Sequence, residues 1–444
     1  MNKHNLAQTF DLKKLLRFVM PTIIMMIFMS LYTSVDGAFV SRLISEDALA
    51  AVNVVYPVLS LVLALGLMFA TGANAIISRK LGEGKPEEAR RFFTAIYITG
   101  FGCGVLISVI GFLFQPQILA LLGATDNLRE YVQDYYQTLM PFAALSFWQM
   151  FAQNFFVTEG KPHIGLIVSI LGGVSNIVLD YIFIAWFHMG IAGAALATGI
   201  GYSIPGIFGA LYFTFHRSGI LFFTKPSCSG RSMLHTITNG SSELVNNLSV
   251  AITTLLFNLT MLKYAGESGV SAITVILYVQ FIQAAIYFGY AQGISPVISY
   301  KYGESNHQQL RYLIRTSIQL LVGCSIVVVI LSFLFANPAI GLFISPDSPT
   351  FAMTKRGFLI FSSAYLFMGI NVFLSALFTA FGNGKVSALL SFLRTLVFIV
   401  GTLLLLPLFL GIDGVWVAVP ISEFLSVIIG FVFYLKYRSV YHYG

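Results

Sequence analysis

Charge is what this sequence has least of. Lys, Arg, Asp and Glu make up 10% of its 444 residues, against about 25% in soluble globular chains. Hydrophobic residues make up 57% and the mean hydropathy is +0.83, which excludes a soluble globular protein. Cysteine is scarce too. Cys103, Cys228 and Cys324 are an odd set, two in apolar runs and one in a polar stretch, and they supply neither a disulfide framework nor a metal-ligand spacing. No P-loop motif occurs, so ATP-driven pumping by this chain alone is not expected. Gly199 and Gly201 give a GxG spacing inside an apolar run, where small residues serve helix packing rather than nucleotide binding. The apolar runs hold no His/Asp/Glu cluster and no paired Ser and His, which speaks against an intramembrane enzyme.

What the chain does have is a series of apolar runs of about 20 residues, each long enough as a helix to cross a hydrocarbon core of roughly 30 Å. They predict an all-α membrane protein with twelve transmembrane helices. The first six lie over 15–42, 50–77, 92–114, 131–157, 164–187 and 191–214. The second six lie over 237–263, 270–298, 314–336, 357–380, 386–409 and 413–436. Lys13, Lys14 and Arg17 before the first run mimic a signal peptide, but the run is too long and lacks a small-x-small cleavage site, so it is read as the first span.

The basic residues then test the topology. With the N terminus inside, Lys3, Lys13, Arg79, Lys161, Lys301 and Lys385 are among the many that fall on the inner side, and only Arg42, Arg129, Lys263, Lys355 and Arg356 on the outer. That bias of roughly four to one follows the positive-inside rule and puts both termini in the cytoplasm. It also accounts for the net charge of +7 without nucleic acid, because the charges are spread among loops beside membrane spans.

An internal repeat organises the spans. Gly72, Ser78, Lys80, Gly82 and Glu83 line up with Gly293, Ser299, Lys301, Gly303 and Glu304, and the same offset of about 221 residues pairs Phe114 with Phe335 and Thr158 with Thr379. Six spans per half is an even number, so the halves enter the membrane the same way and a substrate site is expected between them. The expected organisation is an N-lobe over 1–214, a cytoplasmic linker over 215–236 and a C-lobe over 237–444. Gly82 and Gly303 are expected to serve as left-handed helix caps.

Four acids, Asp36, Asp180, Glu243 and Glu423, fall well inside predicted spans, where an ionised group costs roughly 3 kcal/mol or more. Asp36 lies about six residues, roughly 9 Å, below the outer surface, and Asp180 and Thr198 reach the same level. Tyr32 and Asn176 sit one turn below Asp36 and Asp180 on the same helix faces. Two neighbouring carboxylates cannot both ionise cheaply, so this set suits exchange of a proton. Its oxygen ligands equally suit a small hard cation such as Na⁺, and the sequence does not choose. Arg394 and Glu423 in adjacent spans are read as a structural ion pair. Gln149, Gln153, Glu243, Asn246, Gln280, Gln283 and Asn371 are candidate cavity residues. Among many aromatics they would line a greasy lumen for amphipathic, often cationic compounds.

These motifs resemble the multidrug and toxic compound extrusion (MATE) transporters, close to their MepA-like and DinF-like branch. The resemblance spans the whole chain through the two six-span halves, Val35 to Val40 around Asp36, the turn at Gly82 to Lys85, and Asn176 to Asp180. It implies a V-shaped pair of lobes that exports drugs by rocking, driven by H⁺ or Na⁺, with no cofactor. Its cation site would fall on Tyr32, Asp36, Asn176, Asp180 and Thr198, and Pro21 would match a proline at which the first helix bends. Tyr181 stands where relatives often have proline. The implied partners are small-molecule drugs and the lipid bilayer of the plasma membrane, for a monomer. The alternative is a flippase for lipid-linked precursors, which would need a cleft lined with basic residues.

Overall fold

A computed structural model describes residues 5–123 and 127–443; Lys3 lies outside the described residues. The described chain is helical, with no strand among those residues. This is the form lipid requires, since a helix satisfies its own backbone N–H and C=O groups. Polar residues set the starts. Asp11, Ser45, Ser229, Asn306 and Asn383 accept from backbone N–H groups of the first turn that follows each of them. Pro86, Pro162 and Pro349 occupy first-turn positions where no N–H is missed.

Among the described residues nine helices are long and apolar enough to cross a membrane, ten with the bent pair Pro349–Ser362 and Tyr365–Ala380. The helix Gly230–Gly303 is two of these spans in one. A straight helix of 74 residues would be about 110 Å long, and Gly266, at φ 62°, breaks it. Residues 129–158, interrupted at Met140–Phe142 around Pro141, supply the last. The resulting twelve spans are numbered in chain order. Spans 1 to 3 are Leu12–Leu43, Glu46–Gly82 and Pro86–Leu113, span 4 is 129–158, and spans 5 and 6 are 162–186 and Gly190–Phe215. Spans 7 and 8 are the two arms of Gly230–Gly303, span 9 is His307–Leu334, span 10 is 349–380, span 11 is 384–410 and span 12 is Ile412–Lys436. Span 7 therefore begins at Gly230, inside the stretch 215–236 read as linker.

The repeat is visible in the backbone. Phe114 and Phe335 adopt near-identical angles and each precedes a short helix, Gln115–Leu121 and Ala336–Gly341. The glycine caps are a correction. The left-handed residues are Gly84 and Ser305, two positions later, and Gly82 and Gly303 end their helices where spans 2 and 8 cross. A methyl on Gly82 would overlap the Tyr300 carbonyl, and one on Gly303 the Arg79 carbonyl. The halves thus meet through equivalent residues, on the side that carries the termini and the basic turns.

Further contacts fasten the same side. Gly72 and Gly240 leave no room for a side chain where spans 2 and 7 cross, and Gly289 and Gly293 lie against Ile23 and Thr22 of span 1. Ahead of span 1, the Asn5 amide donates to the Gly160 carbonyl (2.8 Å) in the first half. Lys301 donates to the Ala7 carbonyl (3.1 Å), and the Phe10 N–H donates to Gln309 (2.9 Å), both in the second half. The connection between halves is strapped to the first. Buried Glu159 accepts from the N–H groups of Ile220 (3.1 Å) and Leu221 (2.8 Å), while burial holds its carboxyl above the ordinary range despite those bonds.

Candidate functional site

Spans 1 and 5 approach closely because Gly173 offers no side chain. A Cβ there would stand 2.6 Å from the Phe28 ring and 3.5 Å from Cγ of Tyr32, so these two stacked rings lie on bare backbone. Farther along both helices, Asp36 and Asp180 come within interaction range of one another, and Asn176 within range of Asp36. Asp180 is 0% exposed. Among the described residues neither of its oxygens has a hydrogen-bond partner, and Oδ1 of Asp36 and Oδ1 of Asn176 are also buried and unpartnered.

Span 6 closes the third side through another glycine contact. Gly172 and Gly201 abut, with a Cβ at Gly201 only 2.9 Å from Cβ of Asn176. This sets the Asn176 amide to donate to Thr198 Oγ1 at 3.4 Å. The five residues named from the sequence, Tyr32, Asp36, Asn176, Asp180 and Thr198, are therefore assembled from spans 1, 5 and 6. Two tyrosines were missed. Tyr202 interacts with Tyr32 and Asp36, and Tyr135 of span 4 with Thr198 and both acids. Tyr202 was findable, one turn beyond Thr198 on the same face; Tyr135 has no such signal. A π-helical turn, Tyr181–Trp186, follows Asp180 at once, a local widening that frequently accompanies functional positions.

Two ionised carboxylates at this depth repel in a medium that screens them poorly, and a single positive charge between them relieves both. The orphaned oxygens of Asp36, Asn176 and Asp180, with the Thr198 hydroxyl, form a donor set that fits a proton or a hard monovalent cation. Among the described residues no group of three or more His, Cys, Asp or Glu gathers that could hold a metal.

The second half treats its buried acid differently. Arg394 donates through Nε to both oxygens of Glu423 (2.9 and 3.0 Å) and pairs through Nη2 with Oε1 (2.7 Å). The Asn371 amide adds bonds to Glu423 Oε2 (2.6 Å) and to its carbonyl (2.8 Å). Arg394 lies in a second π-helical turn, Leu393–Phe398 of span 11.

Between the halves lies a cleft of about 680 Å³, part of it open space, lined by residues of spans 1, 2, 4, 7, 8, 10 and 11. Of the seven cavity candidates, Glu243 and Asn246 line it. The other five do not. Gln153 donates to Ser169 (3.3 Å) and Gln283 to Ser332 (2.8 Å), each tying adjacent spans, Asn371 serves Glu423, Gln149 is buried in the first half, and Gln280 is half-buried outside the cleft. An apolar period marks which face of a helix is polar but not which neighbour covers it. Asn74, Asn154 and Gln292 line the cleft and were not anticipated. Pro21 lies within an unbroken helix, so span 1 is not interrupted there.

A family model described as MatE matches residues 21–182 and 244–404. The multidrug export protein MepA of Staphylococcus aureus is 25% identical over 94% of this chain and 92% of its own length. Two solved structures are each 25% identical and cover 99% of both chains. A MATE transporter in the straight conformation superposes with a TM-score of 0.93, and the outward-facing conformation of a multidrug resistance MATE family transporter with 0.92. The two matched segments fall one in each six-span half, and the family's two-lobe fold accounts for the pairing of helices described above; the chain belongs to the MatE family of multidrug and toxic compound extrusion transporters.

Proposed function

We propose that this protein is a cation-coupled efflux antiporter of the cytoplasmic membrane, exporting amphipathic, often cationic organic compounds by alternating access. The observation that carries this reading is the Asp36 and Asp180 pair, with Oδ1 of Asp36 and both oxygens of Asp180 buried and no cation among the described residues neutralising them. An outside H⁺ or Na⁺ reaching it supplies the missing charge. Coupling follows if the loaded and empty pairs favour different facing states, since a ligand moves an equilibrium only by its differential affinity. The name of the Staphylococcus aureus relative supports the drug substrate. The glycine crossings on the terminus side support a state closed toward the cytoplasm. The two six-span halves are the moving lobes, the second beginning where span 7 starts at Gly230, the stretch ahead of it joins them, and one copy suffices.

The flippase alternative needs a cleft lined with many basic residues, and Arg394 is the single Lys or Arg among the lining residues described. The decisive experiment is dye efflux from proteoliposomes with a pH gradient and a sodium gradient imposed separately. One gradient is expected to drive efflux in the wild type and neither in Asp36→Asn. Equal efflux by folded Asp36→Asn would falsify the coupling site.

A further inference from the structure

We propose that Arg394 forms an anion-recognising subsite of the interlobe cleft, one that takes the carboxylate of an amphipathic zwitterion whose cationic end lies toward Glu243. The inference rests on the efflux reading and names a substrate class for its cleft. Arg394 and Glu243 line the same cleft from spans 11 and 7, and no salt bridge joins Glu243 to a cation among the described residues. The guanidinium uses Nε and Nη2 on Glu423, and no hydrogen bond or ion pair engages Nη1 among the described residues. Its orientation is not free. Glu423 is held in turn by Asn371, and Ser422 donates to the Arg394 carbonyl at 3.3 Å.

A pair needed only for packing would fit this place poorly, because apolar residues of similar volume usually serve as well or better than a buried ion pair. The surroundings point to a ligand. A recess lined by Asn371, Ser375, Ser391 and Ser426 adjoins the cleft, with Ser375 and Arg394 lining both. On the cleft wall, Asn246 Oδ1 and both amide atoms of Gln292 are buried without a partner. Unmet donors and acceptors at this depth are costly unless a ligand or water meets them. They favour a guest with polar atoms at both ends over a purely greasy cation. Guanidinium and carboxylate match in shape as well as charge.

The test uses the full-length protein in proteoliposomes and two dyes that share a chromophore, a rhodamine with a free carboxylate and its methyl ester. In the wild type the carboxylate dye is expected to show the lower KM. The double variant Arg394→Gln, Glu423→Gln keeps side-chain volume and hydrogen bonding without charge. It is expected to raise KM for the carboxylate dye about tenfold more than for the ester, the worth of one charge-assisted hydrogen bond. Parallel shifts for both dyes, or none, overturn the subsite. Should that variant not fold, fluorescence polarisation on the wild type in detergent decides, and equal affinity for the two dyes overturns it. Export of the ester alone sinks this inference while efflux stands; export of neither dye sinks both.

Discussion

In the first half of the molecule Asp36 and Asp180 face one another with no cation beside them among the described residues, whereas in the second half Glu423 is clasped by Arg394 and Asn371. The repeat sharpens the contrast. At the offset of about 221 residues, Gly173 corresponds to Arg394 and Tyr202 to Glu423. Where the first half places a bare glycine for span 1 to lie on, the second places the guanidinium. Where the first has a tyrosine facing an acid pair, the second has the acid. One scaffold therefore holds an acid pair with no cation beside it among the described residues and an acid whose cation is built in. The π-helical turns follow the same divergence, since Leu393–Phe398 comes earlier in its span than the repeat would place it after Tyr181–Trp186.

If the second half is self-neutralised, removing one partner there should be the most damaging change to the fold. Glu423→Ala strands a buried guanidinium and is expected to cost about 3–5 kcal/mol of stability. That would be read as a large fall in thermal midpoint and yield in detergent, with much of it regained in Arg394→Met, Glu423→Leu. A single variant as stable as the wild type would erase the contrast. Asp180→Asn should do the opposite. It removes a charge that has no partner, so the protein is expected to stay folded with an unchanged or higher midpoint while gradient-driven efflux is lost. Unfolding of that variant would make the first site a structural one as well. The smallest effect belongs to Thr198→Val, which deletes one hydroxyl from the set. It should weaken apparent affinity for the coupling ion by about fivefold, roughly 1 kcal/mol, in a titration of efflux against ion concentration. No change would place Thr198 outside the site.

Much of this was legible in the sequence. Asp36, Asp180 and Thr198 share a level because helical rise converts residue count into depth, and depth is the coordinate a bilayer imposes on a sequence. What depth does not give is azimuth. Gln153 and Gln283 are polar at the right level yet point to Ser169 and Ser332 of neighbouring spans rather than to the cleft. Tyr135 reaches the acids from a span broken at Pro141, whose direction cannot be read from spacing. The turn glycines show the same limit. Gly82 and Gly303 suit a cap by local rules, but the close crossing of spans 2 and 8 claims them, and Gly84 and Ser305 take the left-handed positions.

The short segment ahead of span 1 is tied at Asn5 to the first half and at Ala7 and Phe10 to the second. A chain only a few residues long cannot stretch across a widening gap, so parting of the halves on that face requires one set of these bonds to break before the other. The segment thus works as a clasp, holding the two halves together on that face from a single short stretch of backbone.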